Sequence, residues 1–154
     1  MRRPAPSTLV IAYRATGRIA DLALSPPAAL LFTDGLWRTT CFEAFLKPAD
    51  GEGYVELNFA PSGEWAAYGF SGYRDGMAPL EIAAPRIETL RGDAAFELDV
   101  TLDLADLPPD PCRLALSAVV EEVSGAKSYW ALAHHSGRPD FHHDAGFAAM
   151  LPGF

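Results

Sequence analysis

Cysteine is nearly absent from this chain. Cys41 and Cys112 are the only two, they lie far apart, and neither belongs to a CxxC or Cys/His spacing. That excludes a disulfide-dense scaffold and a cysteine-based metal site. Both are expected as reduced thiols, Cys41 in an apolar strand and Cys112 after a proline turn, with a single bridge between them as the alternative. Basic side chains are also scarce, 12 against 20 acidic ones, for a net charge of −8. Such a chain repels phosphate backbones, and its densest basic cluster is only Arg2-Arg3, so no nucleic-acid partner is expected. No apolar run approaches the roughly 18 residues that span a bilayer. The run from Leu9 to Tyr13 is short and follows Pro4 and Pro6, unlike an export signal, so a cytoplasmic location without membrane contact is expected. Catalytic signatures are missing too: there is no GxSxG, no glycine-rich phosphate loop and no HExxH.

What is present is a soluble, globular balance: 49% apolar residues and 21% charged, in 154 residues. That length suits one domain over 1–154. The dominant hydrophobic period is two, with turn residues every 8–12 positions, which predicts an all-β, antiparallel β-sandwich of about nine to eleven strands, immunoglobulin- or jelly-roll-like. Expected strands are 8–14, 18–24, 40–47, 54–59, 64–71, 81–90, 95–104, 113–123, 127–133 and 147–151, with turns at 50–53, 61–63, 107–111 and 124–126. The clearest alternation is 95–104, where Phe96, Leu98, Val100 and Leu102 oppose Glu97, Asp99, Thr101 and Asp103. A short helix near 26–31 is the one departure from the period.

The hairpin 40–59 carries most of the chemistry. Phe42, Ala44, Leu46, Val55, Leu57 and Phe59 form a core face. The opposite face then gathers Cys41, Glu43, Phe45, Tyr54, Glu56 and Asn58. Carboxylates and amides hydrogen-bond sugar hydroxyls, and aromatic faces cover the C–H side of a sugar ring. The plain alternative is a solvated face with cross-strand pairs. Trp37 beside Arg38, and Trp130 near Ser128, are aromatic candidates, with Trp65, Tyr68, Tyr73 and Tyr129 nearby in sequence. His134, His135, His142 and His143, with Asp140 and Asp144, hint at a metal. An intervening Gly-Arg-Pro loop favours histidines that brace the last crossing instead. Haem would need Met77 and one histidine as axial ligands. Glu43 and Glu56 could serve a glycosidase as acid and base, although no insertion suggests a cleft.

The segment Leu36-Trp37-Arg38-Thr39-Thr40-Cys41-Phe42-Glu43-Ala44-Phe45-Leu46, followed by Tyr54-Val55-Glu56-Leu57-Asn58-Phe59-Ala60-Pro61-Ser62-Gly63, resembles the W…E-x-F hairpin and N-x-x-P-x-G turn of DOMON-like domains. These are related to the family 9 carbohydrate-binding modules. Ser128-Tyr129-Trp130-Ala131-Leu132 and Pro139-Asp140-Phe141-His142-His143 are similar to the closing segments of that group, so the resemblance runs from about Thr8 to Leu151. It implies a β-sandwich that binds sugars or haem, usually without catalysis. Carried over residue by residue, it nominates Trp37, Glu43, Asn58 and Trp130, with Arg38 and Tyr68 beside them. Two departures stand out. Arg38-Thr39-Thr40 replaces the usual acidic residue after the first tryptophan, which argues against calcium and removes one sugar hydrogen bond, and the Met/His arrangement of cytochrome-type members is not evident. The expectation is a non-enzymatic, cofactor-free module for a small ligand or sugar, with site residues Trp37, Arg38, Glu43, Glu56, Asn58, Tyr68 and Trp130. A haem domain, a glycan-processing enzyme and a self-associating homo-oligomer are the alternatives.

Overall fold

The computed structural model describes residues 1–108 and 111–151. Among them are eleven strands in two antiparallel sheets. The four-stranded sheet has the order β1 (Arg2–Ala5), β2 (Thr8–Thr16), β8 (Ala95–Asp103), β7 (Arg86–Arg91). The seven-stranded sheet runs β10 (Lys127–Ala131), β9 (Cys112–Glu121), β3 (Cys41–Pro48), β4 (Tyr54–Phe59), β5 (Trp65–Phe70), β6 (Ala78–Pro79). β11 (Ala149–Leu151) pairs with the start of β9, on residues 112–114, while β10 pairs with residues 117–121. The fold class is the one the period-two pattern predicts.

The main core lies between the sheets. Leu9 and Ile11 of β2 and Phe96, Leu98, Val100 and Leu102 of β8 pack on Phe42, Ala44 and Leu46 of β3 and Val55, Leu57 and Phe59 of β4. Each set repeats every second residue, as side chains on one pleat face must. Tyr13 spans the layers: its hydroxyl donates to the Glu43 carbonyl at 2.8 Å. The outer face of β8 stays polar and in part solvated.

The outer face of β3, β4 and β5 is largely shielded from water. A second apolar cluster, with Cys41, Phe45, Tyr54, Tyr68, Phe70 and Phe147, covers it. Its cover comes from a 3-10 turn at Leu36–Arg38, the loop 71–77 and the loop 132–147 with a 3-10 turn at Asp144–Gly146. β4 is buried on both faces. Both cysteines are reduced and buried.

Four local expectations change. The strand at 18–24 is instead a 3-10 turn over Ile19–Asp21, in which Arg18 bonds Asp21 at 2.6 Å, with a single bridge from Leu22 to Glu122. A salt bridge three residues apart suits a turn, not an extended strand. No helix forms at 26–31, where the chain runs extended beside β5: Ala28 donates to the Ser62 carbonyl and the Leu31 carbonyl accepts from Trp65. β7 starts only after Pro85, which has no N–H for the ladder. β1 was not anticipated. Of the turn expected at 107–111, Pro109 and Asp110 lie outside the described residues.

Candidate functional site

Register builds the site. Across the outer face, Glu43 sits opposite Asn58 on one side and Ser117 on the other, while Glu56 sits opposite Phe45 and Tyr68. Glu43 and Glu56 are therefore diagonal neighbours on adjacent strands, with backbones roughly 7–8 Å apart. Glu43, Glu56 and Asn58 are 2%, 4% and 0% exposed, so the row is no open, shallow sheet face. Glu43 and Glu56 instead form the floor of a cavity of about 400 Å³. Trp37, Tyr129 and Phe141 contribute aromatic walls, Arg74 and Met77 come from the loop after β5, and His142 from the loop before β11. The volume lies within the ordinary range for small-ligand pockets.

The floor is half satisfied. Asn58 Nδ2 donates to Glu56 Oε1 at 2.8 Å, and Ser117 Oγ donates to Glu43 Oε2 at 2.9 Å. The remaining oxygen of each carboxylate accepts no hydrogen bond from the described residues, and neither atom is sealed from the cavity. Burial, then the neighbouring Glu56 charge, pushes the Glu43 carboxyl up to about 8 against the Ser117 hydrogen bond. Burial likewise raises Glu56, opposed by the Asn58 amide and the Arg74 charge.

One wall is a polar strap between distant loops. Arg74 Nη2 donates to Asp140 Oδ1 at 2.6 Å, Tyr73 donates its hydroxyl to the same carboxylate, and the His142 amide donates to it at 3.1 Å. Burial opposes ionisation of Asp140, but these hydrogen bonds outweigh it and hold the group well below the usual carboxylate range. Arg74 has φ 53°, a left-handed conformation uncommon outside glycine. Its amide donates to the Tyr54 hydroxyl at 3.2 Å, and that hydroxyl lies 2.8 Å from His142 Nδ1. His142 Nε2 stands 3.7 Å from Glu56 Oε2, beyond hydrogen-bond range. Burial and the Arg74 charge lower the imidazole to about 4, against the pull of Asp140, so it is neutral at pH 7.

The expected site residues separate into three groups. Trp37, Glu43 and Glu56 meet in the cavity. Asn58 and Tyr68 lie beneath it: Asn58 orients Glu56, and Tyr68 packs edge-on against Trp37 at 5.6 Å while donating to Asp34 at 2.6 Å. Arg38 and Trp130 lie outside. Arg38 is exposed, and its carbonyl accepts from Lys127. Trp130 pairs with Ala118, which faces the inter-sheet core, whereas Tyr129 pairs with Val119 on the Glu43 side. Adjacent strand residues face opposite ways, so Tyr129 takes the place assigned to Trp130. Trp130 lines a different cavity, of about 510 Å³, along the seam between β10 and β2. That seam is larger, but it is an open edge between layers without the convergent buried acids. A third cavity, near Pro27 and Arg86, contains no acid or histidine.

Arg74, Met77, Tyr129, Phe141 and His142 join the cavity beyond the residues expected for a sugar site; the sequence offers Met77 and His142 only as haem or metal ligands and Tyr129 only as a neighbouring aromatic. Strand parity sets Tyr129 and Trp130 on opposite faces, and the register with β9 assigns the site to Tyr129. The others sit on loops, where no periodicity marks the direction of a side chain. Among the described residues, no group of three or more His, Cys, Asp or Glu is placed to hold a metal. His143 Nδ1 accepts from the Ala145 amide, and His135 stacks on His143 at 4.4 Å. Haem does not fit as an axial Met77–His142 pair. Both residues line the cavity, but His142 Nδ1 is held by Tyr54, its Nε2 looks toward Glu56, and Met77 is largely exposed.

No family profile and no curated protein matches the sequence. Among solved structures, the chain is similar to a protein of Bacteroides uniformis to which carbohydrate binding is ascribed. The TM-score is 0.66 at 14% identity, covering 92% of this chain and 71% of that one. The likeness is one of fold.

Proposed function

We propose that the protein is a non-catalytic carbohydrate-binding module whose ligand enters the cavity above β3 and β4. One observation carries this reading: an unengaged oxygen from each of Glu43 and Glu56 at the base of a cavity with aromatic walls. Leaving buried acceptors unmet costs about 1–3 kcal/mol each, a cost that incoming hydroxyl donors offset. The Trp37 ring offers a surface for the apolar face of a pyranose. The fold shared with the Bacteroides uniformis protein supports the same reading, as does the resemblance of the hairpin to DOMON-like domains. With one or two rings bound, a dissociation constant on the order of 0.1–1 mM, or about −4 to −5.5 kcal/mol, is expected. A glycan-array or thermal-shift screen should find a saccharide whose stabilisation disappears in Trp37→Ala. A protein on which no saccharide acts contradicts the reading.

A second reading draws on the same floor. A carboxyl that keeps its proton at pH 7 beside a second carboxylate is the arrangement of a glycosidase acid and its partner. Turnover of aryl glycosides that is lost in Glu43→Gln would replace the binding module with an enzyme.

A further inference from the structure

We propose that the cavity selects a sugar bearing a protonated amine, a deacetylated hexosamine, with its ammonium group seated between Glu43 and Glu56; this rests on the carbohydrate reading above. The argument is one of charge and donor matching. The two carboxylates lie diagonally on adjacent strands with one oxygen each turned to the cavity, and both are more than nine-tenths buried. The donors nearest them are already used: Asn58 Nδ2 on Glu56, and Ser117 Oγ on Glu43. Among the described residues no lysine or arginine bonds the floor, although the Arg74 charge reaches Glu56. Arg74, the one basic side chain lining the cavity, is bound to Asp140, while Lys47 and Arg113 are bound to Asp144. His142 offers no charge to replace them, since it is neutral at pH 7.

At pH 7 the raised Glu43 carboxyl keeps its proton, so one proton and no directly bonded cation offsets the burial of the two acids; a ligand ammonium takes that proton's place. A neutral hydroxyl can donate to one of the oxygens but supplies no charge in place of that proton. An ammonium has three donors and a full positive charge, enough for both free oxygens. The rings of Trp37, Tyr129 and Phe141 line the same cavity, and aromatic walls favour a cation further. An acetamido group brings no positive charge to replace that proton.

The test compares three ligands on the unmodified protein at pH 7 by isothermal titration: glucosamine, glucose and N-acetylglucosamine. The expected result is glucosamine binding at least tenfold tighter than either neutral sugar. The preference should disappear in Glu43→Gln and in Glu56→Gln, which keep the side-chain shape and remove a carboxyl able to pair with the ammonium. Glucose binding as tightly as glucosamine overturns this inference and leaves the carbohydrate reading standing. Binding of none of the three overturns the inference, and the saccharide screen above then decides the carbohydrate reading. A tenfold preference that survives in both variants overturns the assigned seat. Should neither variant fold, the three-ligand comparison on the unmodified chain still decides.

Discussion

Strands β4 and β8 have nearly the same sequence grammar and opposite surroundings. In each, apolar and polar residues alternate, and in each the apolar set faces the inter-sheet core. The polar set of β8, Glu97, Asp99, Thr101 and Asp103, lies on the outer side of the four-stranded sheet, in part open to water. The polar set of β4, Glu56 and Asn58, lies under a roof of loops and aromatic rings. Alternation specifies which residues share a face but not whether that face is wet. Burying carboxylates with half their oxygens unmet is unfavourable for folding alone, which is why β4, and not β8, marks the site.

The inner faces should break alike. Leu57 of β4 and Leu98 of β8 are both fully buried, and Leu→Ala at either should cost about 2–5 kcal/mol in urea denaturation. A cost under 1 kcal/mol at Leu57 alone would mean that β4 is not a core strand. The outer faces should break differently. Asn58→Leu removes the donor to Glu56 and the acceptor for Cys41 Sγ, and should cost about 1–3 kcal/mol. The same exchange at exposed Asp99 should stay within about 0.5 kcal/mol. Equal costs at the two positions would erase the contrast.

The contrast also explains what was readable beforehand. The strands and the inner core followed from period two, and the shared face of Glu43, Glu56 and Asn58 followed from the hairpin. Its burial did not, because the roof is made by residues 36–38, 71–77 and 132–147, whose return over the sheet leaves no local signal. Arg74 and Asp140 meet across a sequence separation of 66, and neither stands in a periodic segment. Trp130 was assigned to the site because Ser128 stands near it and because the resemblance of 128–132 to the closing segment of DOMON-like domains nominates it. Register with Val119 and Ala118 gives that place to Tyr129.

A pH titration sharpens the contrast, because burial on the outer face of the hairpin raises Glu43 to about 8. In the unfolded chain Glu43 ionises near 4.5, so between that pH and about 8 folding takes up a proton, and stability falls as pH rises through the window. His142 acts oppositely, but only between about 4 and its unfolded value of 6.5, where folding releases a proton and stability rises with pH. The two largely offset each other below pH 6.5. From 6.5 to 8 the Glu43 contribution stands alone of the pair, with Glu56 shifted in the same direction. Denaturation midpoints should fall over that range, with a limiting slope of about 1.4 kcal/mol per pH unit for one proton. Glu43→Gln should flatten the fall. An unchanged slope in that variant would place the titrating group elsewhere.

The smallest effect concerns the roof itself. Asp144, at the start of the 3-10 turn before β11, accepts from Lys47 at 3.0 Å and from both terminal nitrogens of Arg113 at 2.6 and 2.8 Å. Those two bases also lie 5.8 and 5.7 Å from the Phe147 ring, so one acid ties the loop to β3 and β9. Asp144 is well exposed, and water screens most of what such a cluster gains. Asp144→Asn should therefore cost no more than about 1 kcal/mol in the same urea series, yet it should speed hydrogen exchange in 139–147 before any change appears in β8. If β8 loosens equally, the loops and the four-stranded sheet unfold as one unit, and the roof cannot open for a ligand independently of the sandwich beneath it.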